Sequence, residues 1–285
     1  MTDFTMTTDA DGIAVITWDC ANKSMNVLNW DALRTLDGFI DTVIADEAVK
    51  GAIITSGKKD FAAGMDLNVL ADLRNASGDN PAQGMFEGVM QMHHILRKIE
   101  RAGIDAKTNK GGKPIVSVLP GTALGIGLEI PLATHRIFAA NNPKAKIGLP
   151  EIMVGIFPGA GGTTRLVRKL GAMAASPYLL EGKTLAPAKA KGAGIIDVVS
   201  DDPMSEAREF ILNAKDADIV KPWDQKGYLP VQLAMDSSTE VRKLRLLGAE
   251  IQLLRRLYFY LILQIMSPLF IVETSSVARR SYLNS

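Results

Sequence analysis

Two glutamates in apolar surroundings are the residues whose type and position could perform acid–base chemistry. Glu129 lies within the apolar stretch 128–132, and Glu151 directly precedes the apolar run 152–157. Burial in such a stretch raises a carboxyl pKa, because the ionised form loses its hydration. A carboxyl group whose pKa approaches neutrality can accept or donate a proton near pH 7. Both glutamates are therefore candidate acids or bases, the alternative being that each is an ordinary ion-paired residue.

Two glycine-rich turns could provide backbone N–H groups near these carboxyls. Residues 121–127 read GTALGIG and lead into the segment that carries Glu129, and residues 61–66 read FAAGMD after a predicted strand. Small residues let a substrate approach the free N–H groups at the start of a helix, where the helix dipole also favours negative charge. If each turn offers one N–H to the same oxygen, together they form an oxyanion hole for an enolate or a tetrahedral oxyanion.

The elements that must position these groups alternate between short β-branched runs and longer helical patterns up to about residue 199. That alternation indicates an α/β fold. Asn29 is the predicted N-cap of the first helix, and a second glycine cluster at 158–163 opens a later one. Strands are predicted at residues 13–17, 51–57 and 114–119, helices at 29–44 and 81–99, and shorter extended pieces at 136–140 and 144–148.

The glycine-rich stretches do not complete a nucleotide-binding motif. Residues 125–130 lack the third glycine of the dinucleotide fingerprint, and residues 159–162 do not directly follow a long buried strand. The phosphate-loop pattern fails at Gly182, because Pro177 stands where that pattern requires a glycine. There is no Gly-x-Ser-x-Gly nucleophile elbow. The adjacent His93 and His94 are predicted to be solvated or packing residues.

Composition excludes several classes of protein. Lys+Arg 32 against Asp+Glu 31 leaves a net charge of +1, so we expect no nucleic-acid partner. The single cysteine, Cys20, excludes an internal disulfide and suits a reducing compartment, and only 3 histidines nearly exclude a zinc site. Residues 1–12 contain no Lys or Arg, which disfavours a signal or transit peptide. We therefore expect a cytoplasmic protein without a bound metal.

The chain changes character beyond about residue 229. Residues 237–257 are basic and leucine-rich, and residues 258–272 are almost wholly apolar. The apolar run contains Pro268 and is shorter than the roughly 20 residues of a membrane helix, so membrane attachment is disfavoured. A buried or partner-packed helix and an unfolded tail remain the alternatives. We predict a core over residues 1–200 and a helical C-terminal segment over 201–285, whose tail after about 229 is atypical.

Taken in order, the motifs resemble those of the enoyl-CoA hydratase (crotonase) family. The shorter stretches 133–136, 141–147 and 221–224 resemble one subgroup, the N-terminal hydratase part of the multifunctional α chain of the fatty-acid oxidation complex. The blocks that carry the family resemblance are residues 22–28 (NKSMNVL), 61–66 (FAAGMD), 121–129 (GTALGIGLE), 148–151 (GLPE), 158–166 (PGAGGTTRL) and 182–197 (GKTLAPAKAKGAGIID).

The resemblance implies a crotonase-like (ClpP/crotonase) α/β fold, a spiral of ββα units with a helical C-terminal part. It implies an enoyl-CoA hydratase of fatty-acid β-oxidation, which adds water to 2-trans-enoyl-CoA to give (3S)-3-hydroxyacyl-CoA. CoA then enters only as the substrate thioester, and we expect no other cofactor and no NAD site. The expected partners are further copies of the chain or a thiolase subunit.

The resemblance also implies roles for individual residues. Met65 and Ile126 would supply the two oxyanion N–H groups, and Gly159 would lie in the loop that shapes the water site. Glu129 would help to activate the water, and Glu151 would deliver a proton to the α-carbon. The CoA-binding residues implied more weakly are Lys23, Met25, Ala62, Ala63, Gly64 and Asp66.

Departures from the family pattern lead us to expect reduced activity. The family usually has glycine where this chain has Ile126, whose side chain could crowd the thioester. Pro131 removes a backbone donor two residues after Glu129, which is harmless only if the helix begins late enough to hold it in its first turn. The dehydrogenase half of the multifunctional chains is not recognisable in these 285 residues. The chain would then be a fragment or a truncated relative.

Other functional interpretations of the same motifs stay open. A Δ3,Δ2-isomerase or an acyl-CoA hydrolase shares the family pattern, and a catalytically impaired acyl-CoA-binding partner subunit would explain Ile126 and Pro131. Isomerising members commonly use one carboxylate. The presence of both Glu129 and Glu151 therefore favours hydration.

Overall fold

A six-stranded sheet lies at the centre of the fold in the computed structural model, which describes residues 2–66, 69 and 80–228. The described strands are β1 (Phe4–Thr8), β2 (Ile13–Trp18), β3 (Val27–Leu28), β4 (Gly51–Ser56), β5 (Gly64–Met65), β6 (Ile115–Leu119), β7 (Ala123–Leu124), β8 (Arg136–Ala140), β9 (Ile147–Gly148) and β10 (Val198–Ser200). The strand order of the central sheet is β1-β2-β4-β6-β8-β10; β1 and β2 are antiparallel, and the other pairs are parallel.

Helices cover both faces of this sheet. The described helices are α1 (Trp30–Ala45), α2 (Pro81–Arg101), α3 (Ile126–Ala133), α4 (Gly162–Leu170), α5 (Ala172–Leu180), α6 (Pro187–Gly192), α7 (Pro203–Asn213) and α8 (Asp216–Ile219), with 3-10 turns at Glu151–Val154 and Pro222–Asp224. This alternation of strands and helices confirms the predicted α/β class.

The central strands are apolar on both sides because both faces of the sheet are covered. Ile54 of β4 belongs to the main core with residues of α1, α2 and α3. Ile53, one residue earlier, points to the opposite face, where it packs with Ala207 and Ile211 of α7. This alternation explains why the strand reads as a continuous apolar run in the sequence.

The predicted long elements are confirmed. The strands predicted at residues 13–17, 51–57 and 114–119 correspond to β2, β4 and β6, and the helix predicted at 81–99 is α2. Asn29 caps α1 as expected, its side-chain oxygen accepting a hydrogen bond of 2.8 Å from the N–H of Ala32. The extended piece predicted at 144–148 is shorter in the structure, where only Ile147–Gly148 forms a strand.

Two short parallel pairs, β3 with β5 and β7 with β9, lie outside the main sheet. Strand β5 contains Met65, and β7 directly precedes α3 and its Glu129. These pairs were not predicted, since two-residue strands carry no sequence periodicity. They position the glycine-rich turns.

Among the described residues, no helix combines the length and apolar character needed to cross a membrane. The predictions for the tail after residue 229 lie outside the described residues. The division into segments at residue 200 stays a prediction.

Candidate active site

Helix α3 carries the first candidate carboxyl, and every one of its residues is buried. The helix follows Gly125, whose φ of +57° lies in a region that L side chains rarely adopt. The Gly125 carbonyl accepts hydrogen bonds from the N–H groups of Leu128 (2.7 Å) and Glu129 (3.0 Å), which closes the first turn. Glu129 is therefore held by a turn that requires the glycine before it.

Glu129 is 3% exposed, and it is hydrogen-bonded to a distant turn. Its Oε1 accepts a hydrogen bond of 2.8 Å from the N–H of Gly162, and the backbone of Ala160 also bonds the carboxyl. Burial raises the pKa of Glu129 to about 7, opposed by these hydrogen bonds and by the positive charge of Arg165. The group can therefore be ionised near neutral pH despite its burial.

Glu151 begins the 3-10 turn Glu151–Val154 and is half-buried. Its Oε1 lies 3.1 Å from the position that a Cβ on Gly125 would occupy. Its Oε2 is buried and has no hydrogen-bond partner within the described part of the chain. Burial, followed by the negative charge of Glu129, raises the pKa of Glu151 to about 8.

The two carboxyls lie close enough to influence each other's ionisation. Two buried carboxylates of like charge resist simultaneous ionisation, so near neutral pH the pair retains a proton. Glu129 accepts two backbone N–H bonds and feels the Arg165 charge, which stabilises its ionised form. Within the described ranges, Glu151 has no such partner on Oε2. The retained proton therefore resides preferentially on Glu151.

The two glycine-rich turns also come together. Ala62 forms a bridge with Ala123, and the carbonyl of Ala62 accepts a hydrogen bond of 3.1 Å from the N–H of Leu124. A Cβ on Gly125 would lie 3.7 Å from the Cα of Gly64. The structure thus brings together the residues that immediately precede Met65 and Ile126.

Ile126 is the first residue of α3, so its N–H has no acceptor within that helix. The Ile126 side chain is 2% exposed and belongs to the main hydrophobic core. The extra side chain therefore contributes to packing. Crowding of a bound thioester by this side chain stays a prediction.

Pro131 is the sixth residue of α3, not a residue of its first turn. The late helix start that would make the proline harmless does not occur. The ring nitrogen cannot donate to the Gly127 carbonyl, and the helix ends two residues later at Ala133. The Pro131 carbonyl accepts hydrogen bonds from the Thr134 N–H (3.0 Å) and hydroxyl (2.7 Å). The turn that holds Glu129 lies before the proline and keeps its own hydrogen bonds.

The weaker CoA-binding candidates lie along β3 and β5. Lys23 Nζ pairs with Asp66 Oδ2 at 2.9 Å, and both side chains are partly exposed. The N–H of Ala62 donates to Thr122 (3.1 Å) and that of Ala63 to Asn26 (2.8 Å). These two N–H groups already have acceptors and are not free for a ligand. Of the remaining candidates, Met25 and Gly64 are half-buried.

The loop at residues 158–162 contributes more than the sequence predicted. The family resemblance assigns a role only to Gly159 in this loop. The backbone groups that hydrogen-bond the Glu129 carboxyl belong instead to Ala160 and Gly162. His93, predicted to be solvated or packing, is half-buried and is hydrogen-bonded to the backbone of Gly159. Arg165 was likewise unassigned. The sequence signal that could have found these residues is the block 158–166, because it contains the later glycines and Arg165 together with Gly159.

Comparisons with known proteins agree with this architecture. The family model described as enoyl-CoA hydratase/isomerase matches residues 8–218. A fatty acid oxidation complex subunit alpha from Shewanella halifaxensis (strain HAW-EB4) is 34% identical over 195 residues, which are 68% of this chain and 25% of that protein. The Shewanella oneidensis subunit of the same description is 32% identical over 197 residues, 69% of this chain and 26% of that protein. The chain thus spans about a quarter of the length of these relatives.

Solved structures share the fold. The Geobacillus kaustophilus HTA426 structure described as "Enoyl-CoA hydrates" has a TM-score of 0.64 and 26% identity, covering 87% of this chain and 89% of that one. The Thermoplasma volcanium GSS1 enoyl-CoA hydratase has a TM-score of 0.65 and 24% identity, covering 91% and 98%. At 24% identity, the similarity to the Thermoplasma volcanium structure shows a shared fold alone.

Proposed function

The chain belongs to the enoyl-CoA hydratase/isomerase family, and we propose that it adds water to 2-trans-enoyl-CoA to give (3S)-3-hydroxyacyl-CoA. The observation that carries the proposal is that the negative charge of Glu129 raises the pKa of Glu151, so the two carboxyls lie near each other, and that their hydrogen bonding is unequal. Hydration needs one group to take a proton from water and another to give a proton to carbon. An unequal pair can divide these tasks.

Glu129 acts as the base in this proposal. Its ionised form is supported by the N–H of Gly162 and by the charge of Arg165. A water molecule between the two carboxyls transfers a proton to Glu129 while its oxygen forms a bond to C3 of the enoyl group. A positioned base of this kind contributes about 10²–10⁴ in rate.

Glu151 acts as the acid. Its raised pKa keeps it protonated near neutral pH, and its Oε2 is free of partners among the described residues. As the C2–C3 double bond opens, Glu151 gives its proton to C2. The product then carries both hydrogens and the oxygen of one water, and the proton left on Glu129 returns to Glu151 before the next turnover.

The thioester oxygen becomes negative when water adds at C3, and the N–H groups of Met65 and Ile126 are proposed to bind it. Support comes from the close approach of Gly64 and Gly125, the residues preceding them. Losing one such donor typically costs about 10²–10³ in rate. The reaction transfers no net electrons, so the proposed chemistry needs no redox cofactor.

The remaining assignments extend this proposal. Lys23, Met25 and residues 63–66 would contact CoA, whereas Ala62, which is fully buried, would support that segment. Gly159 would shape the water site together with its neighbours. The similarity to fatty acid oxidation complex subunits supports a role in β-oxidation within a larger assembly, with further copies of the chain or a thiolase subunit as the proposed partners. We place this activity in the cytoplasm, as the cysteine usage suggests.

The test is incubation of the purified chain with crotonyl-CoA, followed by mass analysis of the products. We expect a gain of one water without release of CoA, and a loss of about 10²-fold or more in kcat for Glu129→Gln and for Glu151→Gln. Glu181→Gln, at an exposed glutamate, is the matched control and should keep the wild-type rate.

Three outcomes would contradict hydration, and each indicates one of the alternative functions. Release of free CoA would indicate a hydrolase. A shifted double bond at unchanged mass, tested with a 3-enoyl-CoA, would indicate an isomerase. Tight CoA binding without any turnover would identify an impaired binding subunit.

A further inference from the structure

A buried ion pair contacts the turn that binds Glu129. Arg165 of α4 is 7% exposed at its side chain, and Glu100 of α2 is 2% exposed. The Arg165 Nε donates to Glu100 Oε1 at 3.1 Å, and Nη2 donates to Oε2 at 3.4 Å. The guanidinium is therefore held by both carboxylate oxygens, a fixed two-point geometry.

Arg165 also contacts the turn that binds Glu129. Its Nη1 donates to the Ala160 carbonyl at 3.4 Å, and a Cβ on Gly161 would overlap Nη1. The next residue, Gly162, gives its N–H to Glu129, and a Cβ there would lie 2.8 Å from Glu129 Cγ. The guanidinium and the carboxyl thus pack against consecutive glycines of one turn.

We propose that Arg165, held by Glu100, is a positioning residue for Glu129. It holds the turn 160–162, whose N–H groups bind the carboxylate, and it places a positive charge close to that carboxylate. Arg165 acts through Glu129 and does not itself touch the reacting atoms. The effect on turnover rests on the proposed hydration, whereas the link between the two side chains can be measured without a substrate.

The energetics of burial favour this role over simple stabilisation. A buried ion pair contributes little net stability compared with apolar residues of similar volume, because both charges lose their hydration. This pair is nevertheless further anchored, since Arg97 Nη1 lies 2.6 Å from Glu100 Oε2 and Arg97 Nη2 lies 2.6 Å from Asp224 Oδ1. Glu100 is consequently unable to follow Arg165 if that side chain moves.

The ionisable groups around Glu129 come from several elements. Glu151 of the 3-10 turn opposes its ionisation, and Arg165 of α4 favours it. Helix α2 contributes His93, which lies near Gly161, and Glu100, which is neutralised by two arginines. Strands β5 and β7 bring no charged residue, and Arg136 of β8 lies over the ring of Phe210. Among the residues that the structure describes, Arg165 is thus the cation that opposes the effect of burial.

The sign of the expected change follows from this arrangement. The cation stabilises the ionised Glu129, so its pKa is lower than burial alone would make it. Replacing Arg165 by methionine removes the charge and should raise the pKa of Glu129 by about one unit or more. With a starting pKa of about 7, the ionised fraction at pH 7 then falls about fivefold.

The direct test is a titration of the Glu129 carboxyl carbon by nuclear magnetic resonance in the full chain labelled with carbon-13 glutamate, the signal being assigned with Glu129→Gln. We expect the Glu129 midpoint to rise by about one pH unit in Arg165→Met and by less in Arg165→Lys, which keeps the charge. Arg97→Met is the matched control, because it removes an arginine of the same cluster that pairs with Glu100 and Asp224.

An unchanged Glu129 midpoint in Arg165→Met, or in Arg165→Gln if the methionine variant does not fold, would overturn the proposal, as would an equal rise in Arg97→Met. The kinetic arm uses crotonyl-CoA. Arg165→Met should lose about fivefold in kcat at pH 7, and the acidic limb of its pH profile should move up by about one pH unit, with KM unchanged. If the wild type does not hydrate crotonyl-CoA, the proposed function fails, but the titration still decides whether Arg165 acts on Glu129.

Discussion

Glu129 Oε1 accepts a hydrogen bond of 2.8 Å from the N–H of Gly162, the first residue of α4. The carboxylate therefore lies at the N-terminus of a nine-residue helix, whose dipole stabilises negative charge. Residues 33 positions apart are joined by this bond. The orientation of the candidate base consequently depends on how α3 and α4 pack.

Replacing Gly162 with alanine tests this packing. The new Cβ would lie 2.8 Å from Glu129 Cγ and 3.0 Å from Pro158 Cβ, so the carboxyl must move. Displacement of a catalytic group by about 1 Å can cost about 10²-fold in rate. We expect a fall of that size in kcat for crotonyl-CoA hydration, with little change in KM.

The control for this variant is Gly38→Ala. Gly38 lies within α1, and nothing is within 4 Å of its added Cβ. Alanine there should keep the wild-type rate and stabilise the fold by up to about 1 kcal/mol. Equal rates for Gly162→Ala and wild type would show that Glu129 does not need this contact.

The pH dependence of kcat/KM should be narrow and bell-shaped. Below about pH 7 Glu129 gains a proton and can no longer act as a base, and above about pH 8 Glu151 loses the proton that it must donate. Steady-state rates with crotonyl-CoA from pH 5 to pH 10 measure both limbs. Glu151→Gln should abolish the basic limb of its residual activity, and a flat profile in the wild type would contradict the assignment.

Glu151 should also make the stability of the protein depend on pH. Its pKa is raised to about 8 in the folded chain, so its contribution is intact below the unfolded pKa near 4.5 and is lost as pH rises through about 8. Between pH 5 and pH 9, the free energy of unfolding of Glu151→Gln should therefore fall by about 1–3 kcal/mol less than that of the wild type.

Urea unfolding at pH 5 and pH 9 measures this difference. Glu181→Gln provides the control, since that exposed residue should not change the pH dependence. Parallel curves for Glu151→Gln and wild type would show that Glu151 is not held in its neutral form.

Lys221 is expected to stabilise the far end of the Glu129 helix. Its Nζ donates to the carbonyls of Leu132 (3.3 Å) and Thr134, and burial lowers its pKa to about 8. In Lys221→Met these buried carbonyls lose a charged donor, so we expect a loss of about 2 kcal/mol.

Thermal unfolding at pH 7 gives the measurement for Lys221→Met, and Lys189→Met at an exposed position of α6 is its control. If the Tm of Lys221→Met is not lower than that of Lys189→Met, then water replaces the Lys221 donor without loss of stability.

The long elements could be predicted because their signals are local. Asn29 predicts the start of α1 because its residue type is favoured as an N-cap, and the apolar run of β4 predicts a buried strand from its own residues. The short strands β3 and β5 carry no such signal and form only through their pairing with each other. Pro131 shows the limit of local rules, since tertiary packing keeps a proline inside α3.

For the site, residue type and apolar neighbours were enough to select Glu129 and Glu151 as candidate acids and bases, and the motif order indicated the family. Only the folded chain decided that Glu129 bonds the N–H of Gly162 near the charge of Arg165, and that Glu151 lies against Gly125. The physical reason is that a pKa depends on burial and on charges brought within a few ångströms from distant parts of the chain. Such proximity is a property of packing and leaves no periodic trace in the order of residues.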